Sequence, residues 1–205
     1  KNEAIVGSDA GYDPLPPEPR FRCLFEGADG ATVASDLDGG KTIVFTGNAQ
    51  IDTAEALEGN SSLRLDGTGD YVSMADHADF NLKLRFSLRA RFQLASLAGG
   101  TYKGIIAKWT NAGNQRSYEL AIRNDGSVNF FYSLAGTDTV QLASATSLVV
   151  ADTPYEVQVD RDTTGKIRVY LADLTDVTPH ADMVASSAGI TSLFFDSTSP
   201  VFIGD

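Results

Sequence analysis

The stretch SYELAIRNDGSVNFFYS, residues 117–133, decides the fold class. Tyr118, Leu120 and Ile122 fall on one face of an extended chain, and Val128, Phe130 and Tyr132 fall on one face of the next run. Between them Asn124-Asp125-Gly126 has the composition of a hairpin turn, where a positive φ is needed. Period-two alternation on both sides of a turn describes two antiparallel strands, each with one buried and one wet face.

The same pattern recurs outward along the chain. In FSLRARFQL (86–94) Phe86, Leu88, Ala90, Phe92 and Leu94 point one way, while Ser87, Arg89, Arg91 and Gln93 point the other. YEVQVDRDTTGKIRVYL (155–171) gives Tyr155, Val157 and Val159, a turn near Thr164-Gly165, then Ile167, Val169 and Leu171. TIVFTG, GIIAKWT and SPVFIGD add shorter strands. The stretch DTAEALEGN, capped by Asp52 and closed by Gly59, carries the one case for a helical turn. Many short strands and almost no helix predict an all-β, two-sheet antiparallel sandwich or a barrel.

Composition narrows the class. With 205 residues, 42% of them hydrophobic, the chain holds one sizeable core. A formal net charge of -11 repels phosphate backbones and anionic lipid, which argues against nucleic acid and membrane-surface partners. No apolar run approaches the roughly 20 residues that a membrane-spanning helix needs. A single cysteine, Cys23, excludes an internal disulfide and a multi-cysteine zinc site. It lies in RFRCLFEG (20–27), which reads as the first strand, with Phe21, Cys23 and Phe25 on one buried face. Residues 1–20 carry four prolines between Pro14 and Pro19, a semi-rigid tether to another body; the domain proper is expected over 21–205. The chain reads as a piece of a larger protein.

LRLDGTGDYVSM (63–74) sets Asp66 and Asp70 around Gly67-Thr68-Gly69. Leu63 and Leu65 alternate before the glycines, and Val72 and Met74 after them, so the stretch reads as a hairpin or tight bend flanked by solvated acids. An EF-hand counted from Asp66 would need glycine and glutamate where Tyr71 and His77 stand. Structural calcium would need a second loop, and Asp36 and Asp38 in SDLDGG are the candidates.

Taken in order, GNAQIDTAEALEGNSSLRLDGTGDYVSM, FSLRARFQL, GIIAKWTNAGNQRSYELAIRNDGSVNFFYS and YEVQVDRDTTGKIRVYL resemble a laminin-G-like domain of the concanavalin A-like lectin/glucanase superfamily, from about Phe21 to Asp205. The resemblance implies a jelly roll of two curved sheets that binds more often than it catalyses, as in extracellular adhesion proteins, accessory modules of carbohydrate-active enzymes and bacteriophage virion proteins. Calcium-binding members carry an aspartate just before the strand that here begins at Tyr118. This chain has GNQRSY there, with Arg116 near the spot. The family also continues past FIG with a closing strand, F-x-G-x-I-D-E-x-R, which this sequence does not contain; the first strand is thus expected to present an open edge, covered by further chain or a neighbouring subunit.

Glucanases of the superfamily use glutamates in a pattern like E-x-D-x-x-E, and none of the seven glutamates here falls into such a pair. Glu55 and Glu58 read as a solvated face of the candidate turn. His77 and His180 have no histidine partner at metal-ligand spacing, and there is no acyl-transfer elbow, P-loop or dinucleotide fingerprint. The chain is therefore expected not to be an enzyme. A sugar site needs an aromatic platform with amides and carboxylates nearby. Trp109, followed by Asn111, Asn114, Gln115 and Arg116, is the candidate carbohydrate-binding cluster, although the alternation of Ile105, Ala107 and Trp109 favours core packing for the indole. The functional expectation is a non-catalytic structural or adhesive module on a larger assembly, a virion surface foremost, that contacts host glycans. The alternative is a carbohydrate-binding module of an extracellular bacterial protein, and a glycoside hydrolase stands third.

Overall fold

In the computed structural model, which describes residues 20–177 and 181–204, the alternating stretches pair as thirteen strands. They are β1 (Val44–Thr46), β2 (Gln50–Asp52), β3 (Ser62–Arg64), β4 (Tyr71–Met74), β5 (Phe86–Gln93), β6 (Tyr102–Thr110) and β7 (Gln115–Arg123). Then follow β8 (Val128–Tyr132), β9 (Val140–Ala143), β10 (Pro154–Arg161), β11 (Ile167–Asp173), β12 (Asp182–Ser186) and β13 (Val201–Ile203). A seven-stranded sheet runs β1-β4-β13-β6-β7-β8-β9, a four-stranded sheet runs β12-β11-β10-β5, and β2 pairs with β3. Every pairing is antiparallel. The molecule is the all-β sandwich that the alternation predicts. Among the described residues no helix is long and apolar enough to cross a membrane.

The 117–133 hairpin forms in the expected register, with Tyr118 opposite Tyr132, Leu120 opposite Phe130 and Ile122 opposite Val128. Gly126 has φ 77°, and a Cβ there would stand 2.5 Å from the Val149 carbonyl oxygen, so the turn requires glycine. These side chains pack against Phe92, Tyr155, Val157, Val159, Ile167, Val169 and Leu171 of the four-stranded sheet, which forms the main core. A second cluster, Ile43, Ala49, Val72, Met74, Phe80 and Val201, lies under the other end of the large sheet.

Two expectations change. RFRCLFEG is not a strand. Phe25 takes φ 53°, which breaks an extended run, and its carbonyl accepts from Ser61 Oγ at 3.0 Å. Phe21, Cys23 and Phe25 still turn together onto the second cluster, and burial pushes the Cys23 thiol up to about 11. The first strand and its open edge therefore do not exist; β13 inserts between β4 and β6 in the middle of the large sheet.

The 52–60 stretch is a series of bends without a helix. The Asp52 carboxylate accepts from Ala54 N at 2.7 Å, as a cap would, but it also pairs with Arg64 of β3 at 3.3 Å. Glu55 is exposed, as expected of a solvated face, and accepts from Gln93 at 3.5 Å, whereas Glu58 is half-buried and pairs with Arg91 at 3.4 Å. Of the two forms expected for the 63–74 stretch, hairpin or tight bend, the structure takes the bend, since β3 pairs with β2 while β4 pairs with β1 and β13. Residues 1–19 and His180 lie outside the described residues. His77 caps a short 3-10 turn by accepting from Asp79 N at 3.2 Å.

The turn between β10 and β11 is tied by one carboxylate. Asp162 accepts from Thr164 N at 2.8 Å, Thr164 Oγ1 at 2.6 Å, Lys166 N at 3.1 Å and Arg168 Nη1 at 2.7 Å. Burial alone would raise its pKa, but these donors outweigh it and hold the group down at about 2. A carboxyl lowered on folding stabilises while it is ionised. Its contribution is complete above the ordinary value of 3.8 and is withdrawn as pH falls towards and below 2. Asp162→Asn should therefore flatten the loss of thermal stability across that window; melting curves that stay parallel to the wild type would contradict this role.

Candidate functional site

The face that Trp109 takes is set by two irregularities in the β6–β7 ladder. Gly104 lies opposite Ala121 and Ile106 opposite Leu120, so Ile105 is the extra residue of a bulge. Ile105 and Ile106 both reach the core, and the parity of everything after them is reversed. Ala107 turns outward, Lys108 inward and Trp109 outward. The second irregularity, beyond Lys108, leaves Ser117 unpaired and sets Trp109 opposite Arg116. Core packing for Trp109, expected from strict alternation, is thus overturned by a one-residue bulge. The indole is half-buried on the outer face.

Lys108 pays for this arrangement. It is fully buried, opposite Tyr118, and its Nζ donates to Asp76 Oδ1 at 2.7 Å, to the Ser199 carbonyl at 3.1 Å and to the Ser197 carbonyl. Thr110 Oγ1 and Ser199 Oγ lie 2.7 Å apart, a second tie to the same segment. The two contacts dock residues 197–199 against β6, and β13 follows directly from them.

Directly opposed residues share a face. Phe202 of β13 lies opposite Ala107, and Ala107 lies opposite Glu119 of β7. Tyr71 of β4 meets Phe202 edge-on at 5.5 Å. The outcome is a groove of about 510 Å³ lined by Tyr71, Ala107, Trp109, Thr110, Asn111, Glu119 and Phe202. Its middle is low because alanine stands between rings.

Of the candidate cluster, Trp109, Asn111 and Arg116 come together. Asn111 Oδ1 accepts from Trp109 Nε1 at 3.3 Å and from Arg116 Nε at 2.9 Å, and the Arg116 guanidinium lies 5.9 Å from the indole centroid. Arg116 Nη1 donates to the Thr137 carbonyl at 2.7 Å, so the indole is held on a braced loop. Asn114 and Gln115 do not join them. Asn114 sits at φ 58° in a 3-10 turn, and Gln115 Oε1 accepts from Thr198 N at 2.7 Å. Sequence reasoning missed Tyr71, Glu119 and Phe202. The signal was available as a complement: residues alternating with inward Val72, Tyr118 and Val201 must face out.

The four candidate calcium ligands form two groups with different partners. Asp36 accepts from the amides of Arg22, Asp38 and Lys41 at 3.3, 3.1 and 3.2 Å, and from Lys41 Nζ at 3.3 Å. Burial raises its pKa, yet these donors leave the carboxyl below its ordinary range. Asp38 pairs with Arg22 at 3.2 Å. Asp70 is buried, unlike the solvated acid expected there, and accepts from Asn48 N at 2.6 Å and Asp66 N at 2.8 Å. Asp66 accepts from the Asn48 amide at 3.0 Å and from Thr68 N at 2.9 Å, which lowers its pKa. Among the described residues no three His, Cys, Asp or Glu side chains converge as metal ligands.

No protein-family model matches the chain, and no curated protein matches it. Solved structures do resemble it. The botulinum neurotoxin serotype D binding domain superposes with TM-score 0.55 at 12% identity, over 84% of this chain and 40% of that one. The HCR/D W1238A mutant gives 0.56 at 12% identity, over 84% and 41%. The CBM40 of the Ruminococcus gnavus IT-sialidase, bound to α2,3-sialyllactose, gives 0.44 at 15% identity, over 58% and 63%. This chain spans about 40% of the toxin domain's length. The likeness at this identity is one of β-sandwich fold; the groove has to be read from its own residues.

Lys108→Met would leave two carbonyls and a carboxylate without their donor. We expect it to lower stability by about 2 kcal/mol, as leaving buried carbonyls without a donor does; the Asp76 carboxylate is 38% exposed and takes up water instead. Denaturant unfolding measures this, and an unchanged midpoint would show that Lys108 does not hold β13 in place.

Proposed function

We propose that this domain is a non-catalytic glycan-binding module of the laminin-G-like, concanavalin A-like kind, acting on cell-surface or extracellular carbohydrate. The observation that carries the reading is the groove itself, where Tyr71, Trp109 and Phe202 surround Ala107 with Glu119, Asn111 and Thr110 among them. Sugar C–H faces pack on aromatic rings, while directed hydrogen bonds from a few polar groups fix orientation. Trp109 is braced before any ligand arrives, so little ordering entropy is lost on binding. Glu119 is the one carboxylate of the groove lining, whereas glycoside hydrolysis by the common routes needs two flanking the scissile bond. The proline-dense leader fits attachment to a larger extracellular protein. A place on a bacteriophage particle draws no support from the fold likeness.

Trp109 is the sole tryptophan, so its emission reports on the groove without a label. Titration with a broad panel of oligosaccharides should give a saturable change in emission for at least one of them. Tyr71→Ala should weaken that binding by about tenfold, the effect of 1.4 kcal/mol, with the fold retained by circular dichroism. A panel of neutral and acidic sugars that produces neither an emission change nor calorimetric heat would overturn the reading.

A further inference from the structure

What lies beside Trp109 bears on the class of ligand. Resting on the glycan-binding reading above, we propose that the Trp109 end of the groove is an anion subsite. The ligand is an acidic saccharide whose carboxylate or sulfate is taken by Arg116 and the Asn111 amide while a sugar ring lies on the indole.

In a chain with 27 acidic and 16 basic residues, arginines readily find carboxylates. Arg22, Arg64, Arg91, Arg123 and Arg168 each pair with one. Arg116 does not. Its Nε donates to Asn111 Oδ1 at 2.9 Å and its Nη1 to the Thr137 carbonyl at 2.7 Å, and both acceptors are uncharged. A guanidinium is not deprotonated in a protein, so Arg116 keeps its full positive charge. Its Nη2 is left without an acceptor and is not sealed from solvent.

The orientation of Asn111 follows from its neighbours. Trp109 Nε1–H, at 3.3 Å, and Arg116 Nε–H converge on one atom of the carboxamide, and only the oxygen can accept both. The amide NH2 therefore turns away with two donors, on a side chain that is exposed. Spare donors and a positive charge thus sit together beside the ring. The indole itself is held by Arg116, 5.9 Å from its centroid, and by Phe131 of β8, 6.5 Å away and directly opposite Glu119. Glu119 lies opposite Ala107, not Trp109, and has a partner of its own. The net charge of -11 opposes an anion at a distance. That field is screened beyond about 8 Å at physiological salt, whereas a charge-assisted hydrogen bond acts at contact.

The test uses the whole chain, with Trp109 emission and calorimetry reading affinity for matched pairs of saccharides. These are oligogalacturonate and oligomannuronate beside their methyl esters, and sulfated galacto-oligosaccharides beside their desulfated forms. In at least one pair the acidic member should bind about tenfold more tightly, the effect of a hydrogen bond to a charged group, and that pair tells carboxylate from sulfate. Asn111→Asp keeps an acceptor for both N–H groups, removes the two amide donors and neutralises Arg116, so it should abolish the preference. Arg116→Gln should abolish it too, whereas Arg116→Lys, which keeps the charge and loses the fork, should retain part of it. Loss of the brace on Trp109 alone would weaken both members of a pair alike, so the ratio is the quantity read. Neutral members that match or exceed the acidic ones in every pair would overturn the proposal and leave the glycan-binding reading standing. A preference that survives both Asn111→Asp and Arg116→Gln would overturn the placement of the anion at this end. Binding of no saccharide overturns both readings.

Discussion

The Lys108 side chain is fully buried, and its ammonium depends on protein oxygens. Asp76 and the carbonyls of Ser197 and Ser199 supply them, from segments far from β6 in sequence. An uncompensated buried charge is costly enough that this one contact fixes where residues 197–199 lie. From there the chain enters β13 between β4 and β6, and the outer face of the large sheet is complete. Phe202 arrives beside Ala107, and Tyr71 arrives beside Phe202. The groove is thus a consequence of an inward lysine on the strand whose outward neighbours, Ala107 and Trp109, form part of its lining.

Much of the fold was legible because burial imposes period two on a strand. Tyr118, Leu120 and Ile122, Val157 and Val159, and Val169 and Leu171 all reach the core as their alternation says. Trp109 was misread for the same reason: alternation carries no mark of an extra residue, and Ile105 supplies one. RFRCLFEG alternates like a strand, but the left-handed φ of Phe25 and its tie to Ser61 arise from tertiary contacts. Tyr71, Glu119 and Phe202 needed only the converse reading, that outward residues of neighbouring strands form a surface together. Which strands neighbour which is a matter of topology, and β13 lying between β4 and β6 is not written in local pattern.

The acidic residues look different once placed. Asp36, Asp70 and Asp162 each gather backbone N–H groups of an irregular segment that no ladder satisfies. Buried or half-buried amides need partners, and a short carboxylate serves several at once. Spacings such as Asp66-x-x-x-Asp70, which suggest a cation loop, here close a bend on itself. The carboxylate at the centre of the outer groove is instead Glu119, on a regular strand between rings.

The central claim is that the outer face of the seven-stranded sheet, and not the aspartate-bearing loops, receives the ligand. Backbone amide chemical-shift mapping during saccharide titration tests it directly. The account predicts that the largest shifts cluster at Tyr71, Ala107, Trp109, Glu119, Phe131 and Phe202. Shifts concentrated at Asp36, Asp38, Asp66 and Asp70, with the groove residues unmoved, would contradict it.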